Sequence, residues 1–166
     1  GNSPVQIKEC DIFQNGVSGV ALNRSARASL DNCNLYLNKT SGVVAKDVEQ
    51  MLLTNSRIHQ NGRGGVRIQT TSHSPSKTMH AVVEKNDIYL NERAGIYALS
   101  VAPSPTHVIV SKNAIYSNWR SGVRIEDNVH VTIADNEIFK NETAGISSYI
   151  LHKTRPMLDA FQNKLY

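Results

Sequence analysis

Asn86-Asp87-Ile88-Tyr89-Leu90-Asn91, with Ala94-Gly95-Ile96 close behind, returns as Asn136-Glu137-Ile138-Phe139-Lys140-Asn141 with Ala144-Gly145-Ile146. Working outward, the same unit recurs along the whole chain: an apolar residue, then an aromatic, Asn three places on, and Gly seven places on. With Ile12, Leu35, Ile58, Ile88, Ile115, Ile138 and Leu165 as origins, the spacings are 23, 23, 30, 27, 23 and 27 residues. The Asn column reads Asn15, Asn38, Asn61, Asn91, Asn118 and Asn141; the Gly column reads Gly19, Gly42, Gly65, Gly95, Gly122 and Gly145. A second polar column, two places before each origin, runs Cys10, Cys33, Ser56, Asn86, Asn113, Asn136 and Asn163. Self-similarity at this period is the mark of a solenoid, in which each repeat buries its apolar face only against its neighbours.

Apolar residues alternate with period two at three places in each repeat, and such alternation makes short strands. One pair follows the Gly, as in Val66/Ile68 and Val123/Ile125. A second precedes the origin: Val5/Ile7, Ala28/Leu30, Met51/Leu53, Ala81/Val83, Val108/Val110, Val131/Ile133 and Leu158/Ala160. The third lies at the origin itself. No apolar set recurs at helical spacing, and Gly and Asn interrupt every turn. The expected fold is therefore all-β: a single-stranded parallel β-helix of about seven turns of three short strands, right-handed as parallel crossovers are by default. The asparagines suit corners because Asn tolerates left-handed backbone angles and stacked amides can bond in a ladder. The glycines are expected where a tight corner meets a strand.

The two units quoted above resemble parallel β-helix repeats of the carbohydrate-binding and sugar-hydrolase class, the pectate-lyase-like superfold, and the resemblance runs through essentially the whole chain. Members of that class include pectate-lyase-like enzymes, alginate epimerases, periplasmic copper-maturation proteins, and eukaryotic F-box and Shc-binding proteins that use the helix as a recognition platform. The regular Asn-x-Ile-x-x-Asn turns look most like the last group.

A length of 166 residues suits one domain, residues 1–166. The stop at Leu165-Tyr166, in mid-turn and without a cap, leads to the expectation of a segment of a longer protein with flanking domains. No stretch approaches the roughly 18 unbroken apolar residues of a membrane span, and no leader is visible, so neither a membrane partner nor an export signal is expected. The expected location is intracellular, cytoplasm or nucleus. A formal charge of +4 falls short of a nucleic-acid signature, and no nucleic-acid partner is expected. Cys10 and Cys33, in one internal column, read as buried thiols.

The Asn ladder reads as structure, so the sequons at Asn38 and Asn141 are expected to carry no glycan. Stacked rings are expected down the column Phe13, Tyr36, His59, Tyr89, Tyr116, Phe139 and Tyr166. Extra residues enter the long turns at one corner, in segments 69–80, 99–107 and 149–157, where they can frame a binding face. His80, His107 and His130 fall in register there, but no acidic residue or cysteine joins them, so neither metal nor cofactor is expected.

The preferred ligand-binding residues are Arg63, Arg93 and Arg120 in one column and Arg67, Tyr97 and Arg124 in the next, expected beside the long loops. Like charges in register repel, and an anionic partner relieves that cost. The outward acids Asp31, Glu84, Glu126, Asp127 and Asp159 look scattered, with only the neighbours Glu126 and Asp127, near Arg124, hinting at a cluster of the kind glycosidic chemistry needs. The resulting expectation is a non-catalytic recognition platform for a protein segment or anionic carbohydrate. A polysaccharide-active lyase, hydrolase or epimerase and a structural spacer are the alternatives.

Overall fold

Three parallel sheets run the length of the molecule, and every strand pairs with the strand one turn away. The computed structural model describes residues 4–24, 26–71, 78–150 and 156–166. The first sheet stacks Val5–Lys8, Arg27–Asp31, Gln50–Thr54, His80–Glu84, Thr106–Ser111, Val129–Ala134 and Met157–Phe161. The second stacks the short strands Asp11–Phe13, Asn34–Tyr36, Arg57–His59, Asp87–Tyr89, Ala114–Tyr116, Glu137–Phe139 and Lys164–Leu165. The third holds Val20–Asn23, Val43–Lys46, Val66–Thr70, Ile96–Ser100, Val123–Asp127 and Ile146–Tyr149. Among the described residues, with seven, seven and six strands, the sheets make six complete turns and two strands of a seventh.

Registers match the sequence columns. Ala28, Met51, Ala81, Val108 and Val131 are Cα partners in succession, as are Ile58, Ile88 and Ile115. Leu30, Leu53, Val83, Val110 and Ile133 form the next inward column of the first sheet and are fully buried. Burying each such side chain stabilises by roughly 1.5–3 kcal/mol. The aromatic column stacks as expected, with Tyr36 and His59 5.2 Å apart at 3° and Tyr89 and Tyr116 5.0 Å apart at 3°. Cys33 is buried and Cys10 half-buried; both thiols are free.

Two amide ladders run inside the corners. Asn118 Nδ2 donates to Ile88 O (3.1 Å) and Asn141 Oδ1 (3.0 Å), while its own Oδ1 accepts from the backbone N (3.2 Å) and Nδ2 (3.0 Å) of Asn91. Asn61 and Asn91 repeat the arrangement, and Asn86, Asn113 and Asn136 build the second ladder in the same way. The left-handed backbone expected for these asparagines falls instead on the residue before each. Gln14, Leu37, Gln60, Leu90, Ser117 and Lys140 precede one ladder, and Glu9, Asn32, Asn55, Lys85, Lys112, Asp135 and Gln162 precede the other, all with φ between 49° and 57°. Turning the chain through one left-handed residue aims the next side chain inward, where its amide meets the turns above and below. That conformation costs a non-glycine residue roughly 1–2 kcal/mol, and the buried amide bonds offset it.

None of the described glycines has positive φ, so the Gly column answers a different need. A Cβ on Gly95 would lie 2.8 Å from Ile115 Cγ2, 2.9 Å from Asn118 Nδ2 and 2.9 Å from Gly122 O. The glycine lets the chain pass directly over the amide ladder. Gly16, off this column, has nothing within 4 Å of the same position.

Asn118→Ala is expected to destabilise the fold by about 1–3 kcal/mol, because it strips buried donors of their acceptor, while exposed Glu92→Ala leaves the melting curve within about 0.5 kcal/mol. Gly95→Ala should cost about 1–3 kcal/mol through overpacking. Gly16→Ala should be neutral or slightly stabilising, because it reduces only the freedom of the unfolded chain. Denaturant melts of the four variants test both ladder and glycine, and equal shifts for Asn118→Ala and Glu92→Ala contradict the ladder's role.

Candidate functional site

At the corner leading into the third sheet, small residues bring the backbone of successive turns together, and arginines flank them on both sides. Arg63, Arg93 and Arg120 lie before the small residues Gly64, Ala94 and Ser121; the backbone N of Arg93 donates to Arg63 O at 2.9 Å. Beyond the glycines, Arg67, Tyr97 and Arg124 are successive Cα partners on the outward face of the third sheet. The two columns enclose a cleft of about 240 Å³ lined by all six of these residues together with Ser41, Gly64, Ala94 and Glu126. A Cβ on Gly64 would lie 2.9 Å from Ala94 O, so the glycine serves the close approach of the two turns.

Glu126 was legible only as an outward acid near Arg124; in the fold it is 3% exposed and belongs to the cleft. Tyr97 Oη donates to Glu126 Oε2 at 2.6 Å, and Arg124 Nε donates to Oε1 at 2.6 Å. Arg124 Nη2 lies 2.5 Å from the same Oε1. Arg124 is also held from the other side, its guanidinium carbon 4.3 Å from the centre of the Tyr149 ring. Burial and the Glu126 carboxylate push the Tyr97 hydroxyl well above the usual tyrosine range, so it stays protonated and donating. Asp127 is no part of this group: it pairs with Ser100 on the inward column and is buried, at φ 58°. Period-two alternation sends neighbours to opposite faces, which separates the two acids that sequence placed together.

The remaining arginines have no such partner. Among the described residues, no carboxylate pairs with Arg63, Arg67, Arg93 or Arg120. Arg67 packs over Tyr97, its guanidinium carbon 5.5 Å from the ring centre, and its Nε is buried without an acceptor. An isolated buried donor of this kind is costly. Like charges facing one another across adjacent turns add repulsion. Ser41, unremarked in the sequence, also lines the cleft; it belongs to the column of small residues Ser18, Ser41, Gly64 and Ala94.

The one long loop that is fully described does not frame this cleft as expected. It leaves from the far end of the strand Ile96–Ser100, roughly 13 Å along the strand from its start, and none of residues 101–105 lines the cleft. Loop 101–105 is instead tied to the next turn, where Asn128 Nδ2 donates to Ala102 O (3.1 Å) and Pro103 O (3.0 Å). Residues 72–77 and 151–155, the centres of the other two inserts, lie outside the described residues. The three histidines do align on the first sheet. His80 and His107 stack at 5.3 Å, and His107 meets His130 edge-on at 5.0 Å. Among the described residues, no group of three or more His, Cys, Asp or Glu is placed to hold a metal ion.

A solenoid of three parallel sheets with amide ladders at its corners defines a structural class. The chain belongs to the family described as the right handed beta helix region, whose model matches residues 1–107 and 76–158. Among solved structures it is similar to the periplasmic alginate epimerase AlgG, with a TM-score of 0.75 at 16% identity over 97% of this chain and 39% of that one. It is also similar to the A-module of the mannuronan C-5 epimerase AlgE4 of Azotobacter vinelandii, with a TM-score of 0.70 at 15% identity over 98% of this chain and 55% of that one. The AlgE6 A-module of the same organism gives 0.67 at 23% identity, over 86% of this chain and 37% of that one. The chain thus spans about two fifths to a little over half of these proteins, and at such identities the likeness is one of fold. No curated protein matches the chain in sequence.

Two histidines are held below the ordinary imidazole pKa by their surroundings. Burial and then the neighbouring His130 and His80 lower the pKa of His107. Burial, followed by the charge of Arg57, lowers that of His59 against the opposing effect of its bond to Gln60. A histidine whose folded pKa lies below its unfolded value near 6.5 contributes stability above that value that is lost as pH falls through it. The melting temperature is therefore expected to drop between about pH 7.5 and about pH 5.5, and to drop less in a His107→Gln/His59→Phe variant. Parallel melts at both pH values check this; an unchanged pH dependence in the variant rules the two histidines out.

Proposed function

We propose that this β-helix is a non-catalytic binding platform for an anionic carbohydrate, held in the cleft between the two arginine columns. One observation carries the reading: five guanidinium groups from adjacent turns meet in one cleft against the single carboxylate of Glu126. Arginine's planar fork suits carboxylate, sulfate and phosphate alike, and Tyr97 adds an aromatic surface between the charges. Fold neighbours that are alginate epimerases, and so act on a polysaccharide, support carbohydrate over peptide as the ligand. The resemblance of the turns to the F-box and Shc-binding β-helix proteins supports recognition over turnover. So does the bonding of Glu126, whose oxygens are already engaged by Arg124 and Tyr97.

A second reading, a polysaccharide-active enzyme, draws on the same neighbours and on the Tyr97–Glu126 contact, a donor and an acceptor side by side in the cleft. The two readings part at turnover. Arg63, Arg93 and Arg120 are exposed and pair with no described carboxylate, so replacing all three with Gln should preserve the fold.

Titration against alginate, polygalacturonate and a sulfated glycosaminoglycan is expected to show binding that weakens with salt and falls at least about tenfold in the triple variant. Replacing Lys8 and Lys46, which lie away from the cleft, should change affinity less than about twofold. The chain's single tryptophan, Trp119, is 56% exposed and precedes Arg120, so its fluorescence is a built-in reporter. Equal affinities in the two variants, or no binding by the unmodified chain, overturn the platform. Cleavage or epimerisation abolished by Glu126→Gln establishes the enzyme instead.

A further inference from the structure

The charge in the cleft exceeds what one carboxylate can answer. Glu126 shows what a carboxylate does here: its oxygens are taken up by Arg124 and Tyr97, and Arg63, Arg67, Arg93 and Arg120 are left without a carboxylate partner among the described residues. A second, incoming carboxylate has the same two oxygens in one plane and suits one more guanidinium edge-on. The other arginines would still face one another at the inter-strand spacing of about 4.8 Å. Arginines approach from two directions, Arg63, Arg93 and Arg120 from the corner and Arg67 from the third sheet. A group with oxygens spread around a tetrahedron can accept from both sides. Arg67 lines the cleft from that second direction while resting over the Tyr97 ring, its guanidinium carbon 5.5 Å from the ring centre.

Size restricts the rest of the ligand. The cleft, at about 240 Å³, is smaller than the roughly 300 Å³ at the low end of pockets for drug-sized molecules. It has room for one charged group and about one sugar ring.

Resting on the carbohydrate reading above, we infer that the group anchored in this cleft is a phosphomonoester carried on a sugar. Such an ester offers three free oxygens and a charge of about −1.5 to −2 near neutral pH, with a second pKa of about 6. A sulfate ester has the same shape with one negative charge, and a uronate has one charge and a planar group. The expected order of affinity is therefore phosphate, then sulfate, then carboxylate on a common sugar.

Calorimetric titration of the whole chain at low salt with glucose 6-phosphate, glucose 6-sulfate and glucuronate reads that order directly, with the phosphate expected at least about tenfold tighter than glucuronate. Lowering the pH from about 7.5 to about 5.5 returns the second phosphate proton, so glucose 6-phosphate should weaken severalfold relative to glucose 6-sulfate, which controls for charge changes on the protein. Arg67→Gln and Arg93→Gln should each weaken the phosphate about tenfold. Melting curves verify folding, and Arg93, on the exposed rim, carries the test if Arg67→Gln does not fold.

Glucuronate binding as tightly as the phosphate, or an unchanged phosphate-to-sulfate ratio across that pH range, overturns the inference. A phosphoserine peptide binding more tightly than the sugar phosphate overturns its assignment to a sugar. If the polysaccharides of the preceding titration bind and glucose 6-phosphate does not, this inference falls alone. If nothing binds, the platform falls with it.

Discussion

Every strand in this molecule finds its hydrogen-bond partners one full turn away, and that constraint governs the rest. Residues in one sequence column are forced to stand about 4.8 Å apart along the axis, so whatever occupies a column must tolerate its own kind as a neighbour. Aliphatic side chains satisfy this by packing, and rings by stacking nearly parallel, as Tyr36 does on His59. Asparagine satisfies it best of the polar residues, because its amide both donates and accepts and can continue a chain of bonds. Asn91 thus donates to Asn118 while accepting from Asn61, and the corner interior stays satisfied without water.

The ladder imposes secondary requirements on its neighbours. For the amide to point inward, the preceding residue takes a left-handed conformation, whether it is Leu90, Ser117 or Lys140. For the chain to cross above the amide, no side chain can be present, hence Gly95 and Gly122. Strained residues and glycines are costs that local propensity alone does not explain. They follow from the bonds that the ladder makes with adjacent turns.

The same constraint, applied to charged columns, produces the cleft. Arginines stacked at strand spacing repel, and the fold does not neutralise most of them internally. Glu126 answers Arg124 and helps fix the orientation of Tyr97, so one side of the cleft is pre-organised while the other keeps unanswered charge. This asymmetry, more than total charge, supports a ligand site: a merely solvated arginine stripe has no need of a buried carboxylate beneath it.

The repeat, the three strands per turn, the inward apolar columns and the alignment of Arg67, Tyr97 and Arg124 in one column were all legible in the chain by itself. The reason is that in a β-helix a sequence column is also a spatial column, so periodicity along one dimension reports contacts directly. Tertiary structure alone decided what happens between columns. It took Asp127 inward and left Glu126 in the cleft, shifted the left-handed residue one place ahead of the asparagines, and put Ser41 in the wall. It also kept loop 101–105 out of the cleft lining, away from the arginines it was expected to flank. These outcomes depend on how sharply each corner bends and how far a side chain reaches across it, and neither quantity is encoded in the repeat period.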